Sequence, residues 1–164
     1  GTPLEIGLED ASGQHRGTVN TVMQESAPGI FTREGSTEVL AWSSTIGGLV
    51  TERARVRGGD ILTIFATGLG ASRERLPSGV DAPTDRLMEL RTQVRVVVAG
   101  QALDPLFAGR APGTLGVDQI NFQLPEELPE GEEWLTLHLE VRGGHLIAPV
   151  SNTVRIPIAV GPGR

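Results

Sequence analysis

The chain of 164 residues has no cysteine, no lysine and no tyrosine, and its aromatics are limited to four phenylalanines and two tryptophans. Without cysteine there is no disulfide framework, no thiol redox chemistry and no Cys-ligated zinc. So few aromatics exclude a base-stacking platform for nucleic acid. All 14 basic residues are arginine and face 20 carboxylates, and the resulting formal charge of −6 disfavours nonspecific nucleic-acid binding. No apolar run approaches the roughly 18 residues of a membrane-spanning helix. The opening Gly1-Thr2-Pro3 has neither the basic start nor the apolar centre of a signal peptide, so an exported protein would be seen here in processed or excised form. Helical periodicity is scarce as well. Only residues 84–91 suit a turn or two of helix, with Thr84 as the cap and Leu87, Met88 and Leu90 turned inward.

What is abundant is punctuation. Gly (22) and Pro (11) fall between short apolar runs and not in one block, which is the turn pattern of many short strands. Leu4, Ile6 and Leu8 alternate with Glu5 and Gly7, the period of a half-buried strand. A turn at Ala11-Ser12-Gly13-Gln14 and a return run at residues 18–23 complete a hairpin over residues 3–24. Val39-Leu40-Ala41-Trp42 reads as a further strand. Ile61-Leu62-Thr63-Ile64-Phe65-Ala66, the most apolar stretch, reads as the central one. Alternating valines at 94, 96 and 98, a run at residues 117–124 stopped by Pro125, and a last hairpin at 134–142 and 149–159 follow. Nine to eleven short strands favour an all-β antiparallel sandwich over a parallel sheet.

The two hairpins echo one another. Asn20-Thr21-Val22 ends the first and Asn152-Thr153-Val154 recurs in the last, each after an alternating apolar strand and a glycine turn (Gly13 in one, Gly143-Gly144 in the other). Residues 1–25 therefore read as the remnant of a preceding unit or as donated strands, residues 26–160 as a complete sandwich, and 161–164 as a tail. A lone hairpin is marginal in water, so the first needs a sheet from elsewhere.

Four stretches carry a resemblance: Ala27-Pro28-Gly29-Ile30-Phe31-Thr32, GGDILTIFATGLG at 58–70, AGRAPGTLGVDQINFQLP at 108–125, and Ser151-Asn152-Thr153-Val154. In this order they resemble the Solibacter uncharacterised C-terminal domain family over residues 15–159. That resemblance implies an immunoglobulin-like sandwich module at the end of a large exported protein of acidobacteria or related bacteria, secreted or at the cell surface. It brings no activity, cofactor or catalytic residue. It also implies that a further half with its own INFQ-type strand precedes the APGIF motif, of which only the last hairpin, residues 3–24, is present here.

Chemistry-bearing residues give no constellation. His138 shares an alternating strand with Leu135, Leu137 and Leu139 and points the other way, to solvent, while His15 and His145 follow the two hairpin turns. The carboxylates at Glu126, Glu127, Glu130, Glu132 and Glu133 lack calcium-loop spacing and read as a solvated loop; Asp81, Asp85 and Asp104 are scattered. No G-x-S-x-G elbow occurs. The glycines of Gly68-Leu69-Gly70 open onto loop, not helix, and read as positive-φ residues at a strand end. Core packing is the preferred role for Trp42 and Trp134 over stacking on a sugar ring. Arg53, Arg55 and Arg57 alternate as on a strand face, a spacing repeated by Arg73 and Arg75. They could pair with the acidic loop, although a polar outer face is the simpler reading.

The expectation is a noncatalytic assembly module with no cofactor and no metal. It would join copies of itself or neighbouring domains of a surface protein or filament by β-strand pairing, in the manner of donor-strand complementation. Leu4, Ile6, Leu8, Val19 and Val22 form the expected interface. The alternative is an extracellular glycan-binding module using the loops at 71–90 and 108–116 with Trp42 and Trp134.

Overall fold

A computed structural model describes residues 2–142 and 148–159. In chain order the strands are β1 (Thr2–Glu9), β2 (His15–Met23), β3 (Gly29–Ile30), β4 (Ala41–Ser43), β5 (Gly48–Leu49), β6 (Ile61–Thr67) and β7 (Met88–Glu89). They are followed by β8 (Gln93–Val98), β9 (Gln101–Leu103), β10 (Phe107–Arg110), β11 (Asp118–Gln123), β12 (Trp134–Arg142) and β13 (Val154–Pro157). Among the described residues there is no helix, and every strand pairing is antiparallel.

The strands form three sheets. The large sheet runs β5-β4-β6-β11-β10-β7, with β3 beside β4 on the same edge of β6. The small sheet runs β13-β12-β8-β9, and β1-β2 stands by itself. The central place of β6 follows from its composition, since Leu62, Ile64 and Ala66 are fully buried. These residues join Ile120 and Phe122 of β11 in one apolar cluster with Val96 and Val98 of β8, Leu135, Leu137, Leu139 and Val141 of β12, and Val154 and Ile156 of β13. The large and the small sheet thus each turn alternate residues onto a shared core. Between β8 and β9 both turn residues, Ala99 and Gly100, have positive φ (48° and 84°), the twist-matched two-residue hairpin geometry.

Two expectations are corrected. Residues 84–91 hold β7 and no helix: Met88 pairs with Arg110, Met88 and Leu90 are buried, and Leu87 is exposed. Inward positions two apart follow the strand period, and the sheet edge offered by β10 prevails over weak helical propensity. Nor do Arg53, Arg55 and Arg57 lie on a strand. Residues 51–57 form a turn with isolated bridges at Thr51–Ala54 and Val56–Ile158, because Val56 is drawn into the core. The strand count, thirteen among the described residues, exceeds nine to eleven because several strands are only two or three residues long.

Two motifs of the chain meet in space. Asn152 accepts a hydrogen bond from Ile30 N–H (2.7 Å) and donates through Nδ2 to Ile30 C=O (3.1 Å). Its amide thus imitates a strand neighbour for β3, fastening the APGIF stretch to the last hairpin. Gly68 (φ 71°) makes a second close approach: a Cβ there would stand 2.1 Å from Ala27 C=O, and Ala27 N–H donates to Gly68 C=O. Only glycine fits both requirements.

Candidate functional site

The hairpin β1-β2 is the largest unpartnered element. Its strands pair with each other from Thr2–Met23 to Leu8–Gly17, with an irregularity at Leu8/Glu9. Asp10 builds the turn: one carboxylate oxygen accepts from Ser12 N–H, Ser12 Oγ and Gln14 N–H, while the other accepts from Arg16. These bonds, that from the Ser12 hydroxyl foremost, hold the Asp10 carboxyl down at about 2. The hairpin is therefore locally well specified although no other described residue covers it.

Directly opposed residues of an antiparallel pair share a face, so the register sorts the side chains. One face carries Leu4, Ile6 and Leu8 from β1 with Val19 and Met23 from β2. Their exposures are 39, 44, 53, 52 and 58 %, far from the burial that such residues ordinarily reach. No charged residue interrupts this face. Val22 lies opposite Pro3 and belongs to the other face, with Glu5 and Asn20; of the five expected interface residues, four are brought together and Val22 is not. Met23 takes its place, although the sequence reading passed over it. A one-residue change of register moves a whole strand to the other face, and the echo with Val154 did not fix that register. Val154 faces Leu137 in the core.

The same echo isolates what the first hairpin lacks. Asn152 clamps the backbone of Ile30, whereas the side chain of its counterpart Asn20 is exposed and has no hydrogen-bond partner among the described residues. The second glycine turn, Gly143-Gly144, and His145 lie outside the described residues.

The other candidates disperse. His15 bonds Thr18 Oγ1 (3.1 Å), and His138 lies half-buried on the outer side of β12. All five glutamates of residues 126–133 are exposed. Arg55 alone of its trio meets that loop, at 3.7 Å from Glu133, and it also bonds Glu52 and Ile158 carbonyls within the same chain. Arg73 pairs with Glu89. The loops at 71–90 and 108–116 contain no aromatic residue. Asp118 is a buried carboxylate between Arg110 and Leu69 N–H, with Arg110 also bonding Gly70 C=O at 2.8 Å. Burial raises its pKa against the opposing pull of Arg110. Every ligand of that node is backbone or its own ion-pair partner, so it braces the β10-β11 end and offers nothing to a substrate.

Neither tryptophan is a core residue, which corrects the packing expectation. Trp134 is half-buried on the outer side of the small sheet beneath the Arg155 guanidinium, 4.8 Å from the ring centre. Trp42 is 45 % exposed on the outer side of the large sheet. There the cross-strand row reads Leu49, Trp42, Thr63, Asn121, Phe107. The next row reads Phe65, Gln119, Gly109 and, on the edge strand, Glu89, and Phe31 stands opposite Phe65, to whose carbonyl its N–H donates. Both faces of β6 are apolar, inward through Leu62, Ile64 and Ala66 and outward through Ile61 and Phe65. That double patterning is the sequence signal of an outward apolar face. Searches of family models, curated proteins and solved structures found no match to this chain.

Proposed function

We propose that this chain is a noncatalytic joining module: an immunoglobulin-like sandwich, of the kind found in the Solibacter uncharacterised C-terminal domain family, that works in an exported surface protein or filament. The hairpin β1-β2 completes a sheet outside the sandwich to which it is tethered, in a second copy or a neighbouring domain. One observation carries this reading, namely the continuous uncharged face of Leu4, Ile6, Leu8, Val19 and Met23 left in solvent.

Two contributions act together. Burying five side chains that are already about half covered contributes roughly 4–8 kcal/mol. Association costs about 4–15 kcal/mol in lost freedom, so face burial alone gives weak joining. Backbone pairing along an outer edge of β1 or β2 adds the rest. Repeated head to tail, such a contact gives a filament unless the rotation closes it into a ring.

Ile6→Asp with Leu8→Asp tests this. Sedimentation velocity of the unaltered chain is expected to show concentration-dependent assembly that the double variant loses, while its thermal unfolding is unchanged. A chain that stays monomeric at high concentration and also fails to bind its neighbouring domain would sink the reading.

A further inference from the structure

The two outer faces of the sandwich differ in kind. That of the small sheet carries Arg95, His138, Glu140, Arg142 and Arg155, an ordinary solvated face. That of the large sheet carries no charged side chain from β5 across to β10, and its first charge is Glu89 on the β7 edge strand, opposite Gly109. Four of the six aromatic residues in the chain, Phe31, Trp42, Phe65 and Phe107, stand on it, and only Phe122 is fully buried in the core. A sandwich short of aromatics would ordinarily place them between its sheets, where they bury the most area. Here they face outward, and an exposed apolar patch is informative where a single exposed residue is not.

The patch is not purely apolar, and that selects its occupant. Between Trp42 and Phe107 lie Thr63, Gln119 and Asn121. Thr63 Oγ1 and Gln119 Nε2 both donate to Asn121 Oδ1, each at 3.0 Å. The Asn121 amide nitrogen thereby turns outward with no partner among the described residues, and two donors remain to be used. Under a dry apolar protein surface, including the Leu/Ile face of another copy's hairpin, those donors would be stranded at a cost. A sugar chain suits both features: the C–H face of a pyranose ring stacks on an indole or phenyl ring, and its hydroxyls accept from and donate to amides. The lack of charge between β5 and β10, with Glu89 at the edge ion-paired to Arg73 (3.4 Å), selects a neutral polymer. The tip of the Phe107 ring lies 2.3 Å from where a Cβ of Gly109 would stand, so the glycine makes room for it. Trp42 and Phe107 are three strand spacings apart, roughly 14 Å, which gives a track running across the strands.

We propose that the outer face of the large sheet is a binding platform for a neutral polysaccharide, with Trp42 as the main stacking residue and Asn121 as the central hydrogen-bond donor. This function is separate from joining through the hairpin, and it uses neither of the loops at 71–90 and 108–116.

Affinity electrophoresis of the full chain in gels containing hydroxyethylcellulose, xyloglucan, galactomannan or laminarin, with polygalacturonate as the charged comparison, tests the platform. At least one neutral polymer is expected to retard the chain, with little dependence on salt, and polygalacturonate is not. Trp42→Ala is expected to weaken that retardation at least tenfold, Asn121→Ala to weaken it less, and Trp134→Ala to leave it unchanged. Thermal unfolding of each variant checks folding. Repeating the series in the Ile6→Asp, Leu8→Asp background separates the two functions, since retardation persists there whether or not the hairpin drives assembly. Absence of retardation by all four neutral polymers, equal loss in Trp134→Ala, or loss of self-association in Trp42→Ala would each overturn the proposal, the last by assigning the face to a protein.

Discussion

Asp10 and Asp118 hold their charges in opposite circumstances, and each yields a pH prediction. The Asp10 carboxyl lies at about 2 against an ordinary 3.8, through the Ser12 hydroxyl first and the Gln14 amide and Arg16 after it. A depressed carboxylate contributes stability above its unfolded value and loses it as pH falls through the folded one. The hairpin turn should therefore be intact above about pH 4 and loosen towards pH 2, seen as a titration of the Ser12 and Gln14 amide resonances in nuclear magnetic resonance. A midpoint near 4 would contradict the bonding described. Asp118 is raised by burial, so protonation is favoured in the folded state and the penalty on its charge eases as pH falls. Arg110→Ala leaves that buried carboxylate without its ion-pair partner, with only the Leu69 N–H on it, and should cost about 3–5 kcal/mol at neutral pH, measured by urea unfolding. The loss should shrink in acid, where Asp118 takes up a proton.

At the scale of single elements, the clamp between Asn152 and β3 explains why two distant motifs belong together. Asn152→Ala removes two backbone partners from a buried Ile30 and is expected to destabilise by about 1–3 kcal/mol, whereas Asn20→Ala should leave the unfolding of the isolated chain unchanged. Differential scanning calorimetry of the pair checks both. Much of this level was legible beforehand. The alternation of β1, β6, β8 and β12 and the turn glycines mark strands directly, because a period of two and positive φ are local properties. The mistakes lie where partners decide. Residues 84–91 have a helix-like spacing but a strand's neighbour in β10. Arg53, Arg55 and Arg57 alternate as a strand does, yet Val56 is pulled inward beside Ile158. Trp42 is apolar in a β-sandwich and still faces out, since sequence alternation does not say which of two apolar faces meets the core. For the hairpin, apolar residues and turn could be read, but the register that puts Met23 in place of Val22 could not.

Over the whole molecule, stability and joining are carried by different parts. The apolar cluster that spans both sheets draws on β4, β6, β8, β11, β12 and β13 and contains no residue of β1 or β2. The hairpin buries no apolar side chain of its own, so it adds nothing to the cooperative core. Removing residues 1–24 should accordingly leave the free energy of urea unfolding within about 0.5 kcal/mol of the full chain, as for surface changes. Leu137→Ala, in the middle of the core, should cost about 2–5 kcal/mol. The comparison is informative because Ser26 is itself buried and Ala27 is bonded to Gly68, which places the structural boundary of the sandwich just after the deleted segment. If the shortened chain instead unfolds markedly earlier, the hairpin must be folding back onto its own sandwich, and its apolar face would then be covered from within and unavailable to any other chain.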